Sequence, residues 1–168
     1  MYKRLSDWWD MRAFIYASGS AKRWARCGDG ADIPAGGVYK QLLSDGEQPI
    51  LLRTVKQLLA RNCIPVIVTP HQAIKDCIFG NLPNKCISHA VDFLDVGQPN
   101  LIVETILHSA DWWTEGEPTI GVMGDTWFSE PAMDTILEGA RGGPGTMWYG
   151  RGRPSRITGN PASGELFA

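Results

Sequence analysis

Apolar and polar positions along this chain fall into blocks that alternate between two periods. Ala13-Phe14-Ile15-Tyr16-Ala17 is a continuous apolar run closed by Ser18-Gly19-Ser20. That is the pattern of a strand buried on both faces that ends in a loop. Leu51, Leu52, Val55, Leu58 and Leu59 recur at helical spacing between Pro49 and Arg61, with Arg53, Lys56 and Gln57 on the opposite face. Residues 64–69 (IPVIVT) are β-branched and predict a second strand. A shorter helix is expected over 71–79, a weaker third strand over 86–91, and a helix from Pro99 to about Trp113. Residues 119–123 (TIGVM) predict another buried strand, closed by Gly124-Asp125. Ser129 is placed to cap a helix from Glu130 to about Glu138, with Pro131 in its first turn. TMWYG, ending at Gly150, reads as a further strand, and the Gly-, Asp- and Pro-rich stretch 27–37 as a mobile loop.

Strands alternating with helices of this length predict an α/β fold: a three-layer αβα sandwich, Rossmann-like, around a mostly parallel sheet. Ligands in such folds sit beyond the carboxyl ends of the strands. With 168 residues, the chain is read as one domain. Residues 1–12 form an N-terminal extension and 140–168 a short C-terminal segment. The net charge of -2 leaves no footprint for nucleic acid or an anionic membrane surface. The distribution is more informative than the total. Residues 1–84 hold 11 Lys/Arg against 7 Asp/Glu, whereas 85–168 hold 5 against 11. A protein that binds a polyanion through a metal can carry its charge this way, and so can ordinary drift in composition.

The four cysteines, at 27, 63, 77 and 86, form no CxxC and match no zinc-finger spacing. They read as reduced thiols, although Cys86 and His89 make a C-x-x-H pair. The first residues carry charges and no apolar signal-peptide core, and no run approaches the ~20 apolar residues of a membrane span. The expectation is a soluble cytoplasmic protein.

Two strand ends carry the chemistry. Ala17-Ser18-Gly19-Ser20-Ala21-Lys22-Arg23 puts small residues at a turn, followed by two cations. Small residues let backbone N–H groups approach a phosphate, and Lys22 and Arg23 can then neutralise its oxygens. The glycine pattern fits neither the P-loop nor the dinucleotide fingerprint. Asp125, at the end of TIGVMGD, suits Mg²⁺, which prefers oxygen ligands and keeps waters and substrate phosphates in its shell. Lys40 follows a glycine pair between apolar residues and is placed to face the same cleft. Taken singly, each of these also reads as an ordinary turn or surface residue.

Together they carry a resemblance. Tyr16-Ala17-Ser18-Gly19-Ser20-Ala21-Lys22-Arg23-Trp24, Tyr39-Lys40-Gln41-Leu42, Gly46-Glu47-Gln48-Pro49-Ile50-Leu51, Pro65-Val66-Ile67-Val68-Thr69 and Val122-Met123-Gly124-Asp125 stand in this order. The series resembles the nucleotidyltransferases of the GT-A fold, which include sugar-phosphate nucleotidyltransferases, the methylerythritol phosphate cytidylyltransferase, and the molybdenum cofactor guanylyl- and cytidylyltransferases. It departs from them in Tyr39, where the family has proline, and in Ser18, where it has glycine or alanine. The resemblance implies transfer of NMP from a nucleoside triphosphate to a small phosphorylated sugar or polyol, with Mg²⁺ as cofactor. Arg23, Lys40 and Asp125 would be catalytic, and Asp125 would hold the metal. Ala17, Ser18, Gly19, Ser20, Lys22, Arg23, Lys40 and Asn100 would bind the nucleotide. Lys40-Gln41 tilts the choice of base toward a pyrimidine.

Two alternatives stay open. One is a glycosyltransferase using a nucleotide sugar, although Asp125-Thr126-Trp127 lacks the second aspartate of a D-x-D motif. The other is a non-catalytic nucleotide-binding domain. Arg151, Arg153 and Arg156 form the one basic cluster of the second half, which suits an acceptor phosphate or a solvated loop. Glu165 is a candidate second metal ligand. Trp8, Trp9, Trp112 and Trp113 suit a homo-oligomer interface, a base-stacking surface or the core. His71, His89 and His108 read as structural.

Overall fold

The computed structural model describes residues 11–19, 39–44, 46–83, 90–97, 102–142, 149–150 and 166–167. Four strands form one parallel sheet: β1 (Met11–Tyr16), β2 (Cys63–Val68), β3 (Asp92–Leu94) and β4 (Thr119–Met123), in the order β3-β2-β1-β4. The connecting helices are α1 (Ile50–Leu59), α2 (Gln72–Asn81), α3 (Ile102–Ser109) and α4 (Glu130–Arg141). A single 3₁₀ turn covers Lys40–Leu42, and another, Ala110–Trp112, follows α3.

The period-2 alternation of each strand divides the core into two layers. Met11, Ala13 and Ile15 of β1, with Cys63 and Ile67 of β2, face α1, α2 and α4 through Leu51, Val55, Leu58, Ile74, Ile78, Met133 and Leu137. Phe14, Tyr16, Val66 and Val68 point the other way, with Leu94, toward Ile106 of α3. Trp113 adds to this second layer by packing edge-on against Phe14 at 6.3 Å. The expected three-layer α/β architecture is therefore present.

Several expected elements shift. Of the third strand expected over 86–91, residues 86–89 lie outside the described residues; Ala90 and Val91 are not in a strand, and β3 begins at Asp92. It joins the sheet only from Val66 onward, past Pro65, whose nitrogen has no hydrogen to donate to a ladder. The helix expected to reach Trp113 ends as an α-helix at Ser109 and tightens into the 3₁₀ turn. Of TMWYG, residues 146–148 lie outside the described residues, and Tyr149–Gly150 form β5, which pairs antiparallel with β6 (Leu166–Phe167) in a two-stranded sheet. The proposed cap on α4 is present: the Ala132 N–H donates to Ser129 Oγ at 3.3 Å.

Gln57 also departs from its expected place on the solvent face of α1, being only 5% exposed. The start of α4 covers it. Nearby, Arg61 reaches across from the end of α1 to Asp134 Oδ1 at 2.6 Å and Glu130 Oε2 at 2.9 Å. The chain then turns at Asn62, whose φ of 59° suits the left-handed region that asparagine tolerates after a helix.

The hydrogen bond from Arg61 holds the Asp134 carboxyl below its usual range. Bonds from Gln57 first and Arg61 next do the same for Glu130. A carboxyl depressed in the folded state stabilises the fold above its unfolded titration, and that contribution is lost as pH falls through the lower folded value. Arg61→Ala removes the main cause at Asp134. Urea midpoints of the variant should therefore decline less steeply than those of the parent as pH falls below about 4. Parallel declines would show that the two carboxyls do not depend on Arg61.

Candidate active site at the β1–β4 switch point

From β1 the chain crosses to β2 and β3 on one side, and it returns to the other side of β1 for β4. The order reverses between β1 and β4, the place where parallel α/β sheets open a ligand crevice. Both strand ends singled out above leave the sheet there. The ladder continues one step past each strand: Ala17 N–H donates to the Val68 carbonyl at 2.9 Å, and Gly124 N–H to the Tyr16 carbonyl at 2.9 Å. Ser18 and Gly19 then depart beside Gly124 and Asp125. Asp125 is exposed, and Ser18 is half-buried.

The approach between the two ends requires glycine at 124. A Cβ there would lie 3.0 Å from Ala17 Cβ, 3.1 Å from the Tyr16 carbonyl oxygen and 3.3 Å from Gln41 Cγ. Two of these neighbours belong to the β1 backbone or its shortest side chain and cannot swing away.

The turn carrying Lys40 is tied to the same place. Gln41 is only 4% exposed. Its side chain passes over Gly124 and extends Nε2 toward the Gly19 carbonyl at 3.5 Å, while its Oε1 is buried with no hydrogen-bond partner among the described residues. Lys40 itself is half-buried. The structure thus brings Ala17, Ser18, Gly19, Lys40 and Asp125 to one end of the sheet.

Three residues outside the expected site set brace the β1 loop. Thr69, fully buried at the end of β2, donates from Oγ1 to the Ala17 carbonyl at 3.0 Å and accepts from His71 N–H at 3.2 Å. His71 Nε2–H donates to the Ser18 carbonyl at 2.9 Å, and its ring stacks on Tyr39 at 4.5 Å. Ser18 Oγ and Thr105 Oγ1 of α3 share a bond of 2.9 Å. One layer down, Tyr16 bonds Ser109 at 3.1 Å, and burial raises its phenol pKa against the lowering effect of that bond. The polar threonine ending the apolar run IPVIVT was the available signal for the first of these; the other contacts have no local signature.

Ser20, Lys22, Arg23, Asn100, Arg151, Arg153, Arg156 and Glu165 lie outside the described residues, as do Trp8, Trp9, Cys27, the loop 27–37, and the Cys86–His89 pair. Cys63 is buried, and Cys77 is half-buried. Among the described residues no helix is long and apolar enough to cross a membrane, and no three His, Cys, Asp or Glu converge on a metal position. One carboxylate on an exposed turn suits Mg²⁺, which commonly takes one or two carboxylates and completes its shell with waters and substrate phosphates. It does not suit a closed four-ligand zinc site.

No family model matches the chain, and no curated protein does. Among solved structures it is similar to the crystal structure of HddC from Yersinia pseudotuberculosis complexed with GMP-PN, at 19% identity and a TM-score of 0.55 over 77% of this chain. The likeness is one of fold alone, a Rossmann-like parallel α/β sheet. The chain spans about half of the HddC structure, 53% of its length.

The crowding at Gly124 yields a test. Gly124→Ala must shift β4 from β1 as well as crowd Gln41, an overpacking cost of about 1–3 kcal/mol. Urea unfolding should show that loss. Unchanged stability would mean that the two strand ends are not in close contact.

Proposed function

We propose that this chain is a Mg²⁺-dependent nucleotidyltransferase. It transfers a nucleoside monophosphate from a nucleoside triphosphate to the phosphate of a small phosphorylated sugar or polyol. The observation that carries the reading is the meeting of the Ser18–Gly19 loop, the Lys40 turn and Asp125 at the β1–β4 reversal. The similarity to a protein solved with GMP-PN supports a nucleotide as the ligand class. The charge asymmetry of the sequence agrees with it, since basic groups concentrate in the half that would meet the phosphates and Asp125 belongs to the acidic half.

In this reading an acceptor phosphate oxygen attacks the α-phosphorus. The bond from that phosphorus to the bridging β-phosphate oxygen breaks, and pyrophosphate leaves with the electron pair. Such transfer depends mainly on positioning and charge stabilisation. Backbone N–H groups of Ser18, Gly19 and Ser20, beyond the end of the ladder, would donate to phosphate oxygens. Lys22 and Arg23 would hold the departing pyrophosphate, Lys40 would offset charge growing on the α-phosphate, and Asn100 would touch the nucleotide. Asp125 would hold Mg²⁺, which when bound supplies Lewis-acid neutralisation of the phosphate oxygens. The bracing by Thr69, His71 and Thr105 keeps the β1 loop in place while charge redistributes.

Two outcomes follow. Asp125→Asn should lower pyrophosphate release by about a hundredfold, the scale of one electrostatic contact to the transition state, with metal-free thermal stability unchanged or slightly higher. Full Mg²⁺-dependent turnover in that variant would move the metal elsewhere, and clear destabilisation would make Asp125 a turn-forming residue. Lys40→Ala should weaken triphosphate binding or turnover by roughly tenfold or more, since a charge-assisted hydrogen bond is worth about 1.5–3 kcal/mol. Calorimetry with a panel of nucleoside triphosphates reads the binding, and parent-like affinity and turnover would leave Lys40 a surface cation.

A further inference from the structure

The segment between β4 and α4 carries Asp125 without regular structure of its own. At its start, Gly124 is pinned to the Tyr16 carbonyl, and a turn bond joins Thr126 N–H to the Met123 carbonyl at 3.2 Å. Its far end is held from a different element. Arg53, Gln57 and Arg61 of α1 and the turn after it are spaced by four, so they form one column. The Arg53 guanidinium lies 5.1 Å from the Trp127 ring centroid. Gln57 Nε2 donates to the Phe128 carbonyl at 3.2 Å and to Glu130 Oε1 at 2.7 Å. Arg61 donates to the Glu130 carbonyl at 3.4 Å and to its Oε2 at 2.9 Å.

We infer that Gln57 is a positioning residue for Asp125: by tying the Phe128 carbonyl to α1, it fixes the far end of the loop that presents the metal carboxylate. This rests on the reading of Asp125 as the metal ligand. Gln57 bonds the backbone of the loop before α4 begins, and it does so as a buried group. Arg53 touches a half-exposed indole, and Arg61 acts on α4 itself. An amide in the middle of α1 therefore reaches the metal only through three residues of loop. Gln57 is placed to govern where the carboxylate stands.

Mn²⁺ titrations followed by electron paramagnetic resonance, with a non-hydrolysable triphosphate present, test the inference. Gln57→Met keeps the side-chain length but leaves the Phe128 carbonyl without its donor. It should weaken Mn²⁺ by roughly tenfold, the usual scale for losing a group that orients a ligand, while metal-free affinity for the triphosphate stays within about twofold of the parent. The exchange Gln57→Glu with Glu130→Gln retains an amide–carboxylate bond between α1 and α4 but offers the Phe128 carbonyl no donor. It should regain thermal stability without regaining Mn²⁺ affinity. Parent-like Mn²⁺ affinity in Gln57→Met overturns the inference, as does recovery of Mn²⁺ affinity in step with stability in the exchanged protein. Asp125→Asn separates the two ideas: if it loses Mn²⁺ while Gln57→Met does not, the positioning role alone fails. If Asp125→Asn keeps Mn²⁺, the metal reading fails and takes the positioning role with it.

Discussion

The contact between the ends of β1 and β4 is the constraint on which the rest of the molecule depends. Gly124 N–H reaches the Tyr16 carbonyl at 2.9 Å, and a Cβ at 124 would crowd Ala17 Cβ at 3.0 Å and the Tyr16 carbonyl oxygen at 3.1 Å. That closeness follows from a topology in which β4 pairs with the first strand rather than the third. Two loops distant in sequence, 17–19 and 124–125, leave the sheet side by side because of it. The buried Gln41 lies against both and carries the Lys40 turn with it. If β4 stood elsewhere, the same residues would be three unrelated surface features.

Around this contact the protein builds supports of two kinds. The β1 loop is held by hydroxyls and an imidazole: Thr69 on the Ala17 carbonyl, His71 on the Ser18 carbonyl, Thr105 on the Ser18 hydroxyl. The β4 loop is held by longer side chains from α1, which meet it and the start of α4 in an amide and ion-pair cluster. Short hydroxyls fix a backbone position closely because few rotamers are lost. Arg53 and Arg61 retain partial exposure, so their ion pairs contribute modestly to stability. Their role is better described as orientation of the loop and the helix that follows it.

The sequence made the apolar strands readable. Residues 13–17 and 64–69 fall on strands buried on both faces, whereas 119–123, expected to be equally buried, falls on a strand buried on one face through Ile120 and Val122 and half-buried on the other. β3 was not readable, because three residues beginning with an aspartate have no periodicity to detect. Pro65 shortens its partnership for a reason that concerns hydrogen bonding rather than hydropathy. Helical spacing puts Gln57 on a solvent face because it identifies a polar stripe without saying what covers it, and here α4 does. The pairing of Tyr149–Gly150 with Leu166–Phe167 joins segments separated in sequence, which local pattern cannot foresee. Gly19, Lys40 and Asp125 stand out in sequence as a small residue and two charges beside apolar residues, and the fold brings them to one end of the sheet. Thr105 and His71 do not stand out, since their value lies in contacts made across the fold.

The account holds that the two loops and the Lys40 turn form one triphosphate–metal cleft. Paramagnetic broadening of backbone amide signals by Mn²⁺, in the presence of a non-hydrolysable nucleoside triphosphate, measures this directly. The account predicts that Gly19, Gln41, Gly124 and Asp125 broaden together, at low Mn²⁺ and only with the nucleotide present, while Gly139 and Arg141 at the far end of α4 stay sharp. Broadening centred elsewhere, or at Asp125 without Gly19 and Gln41, would contradict it.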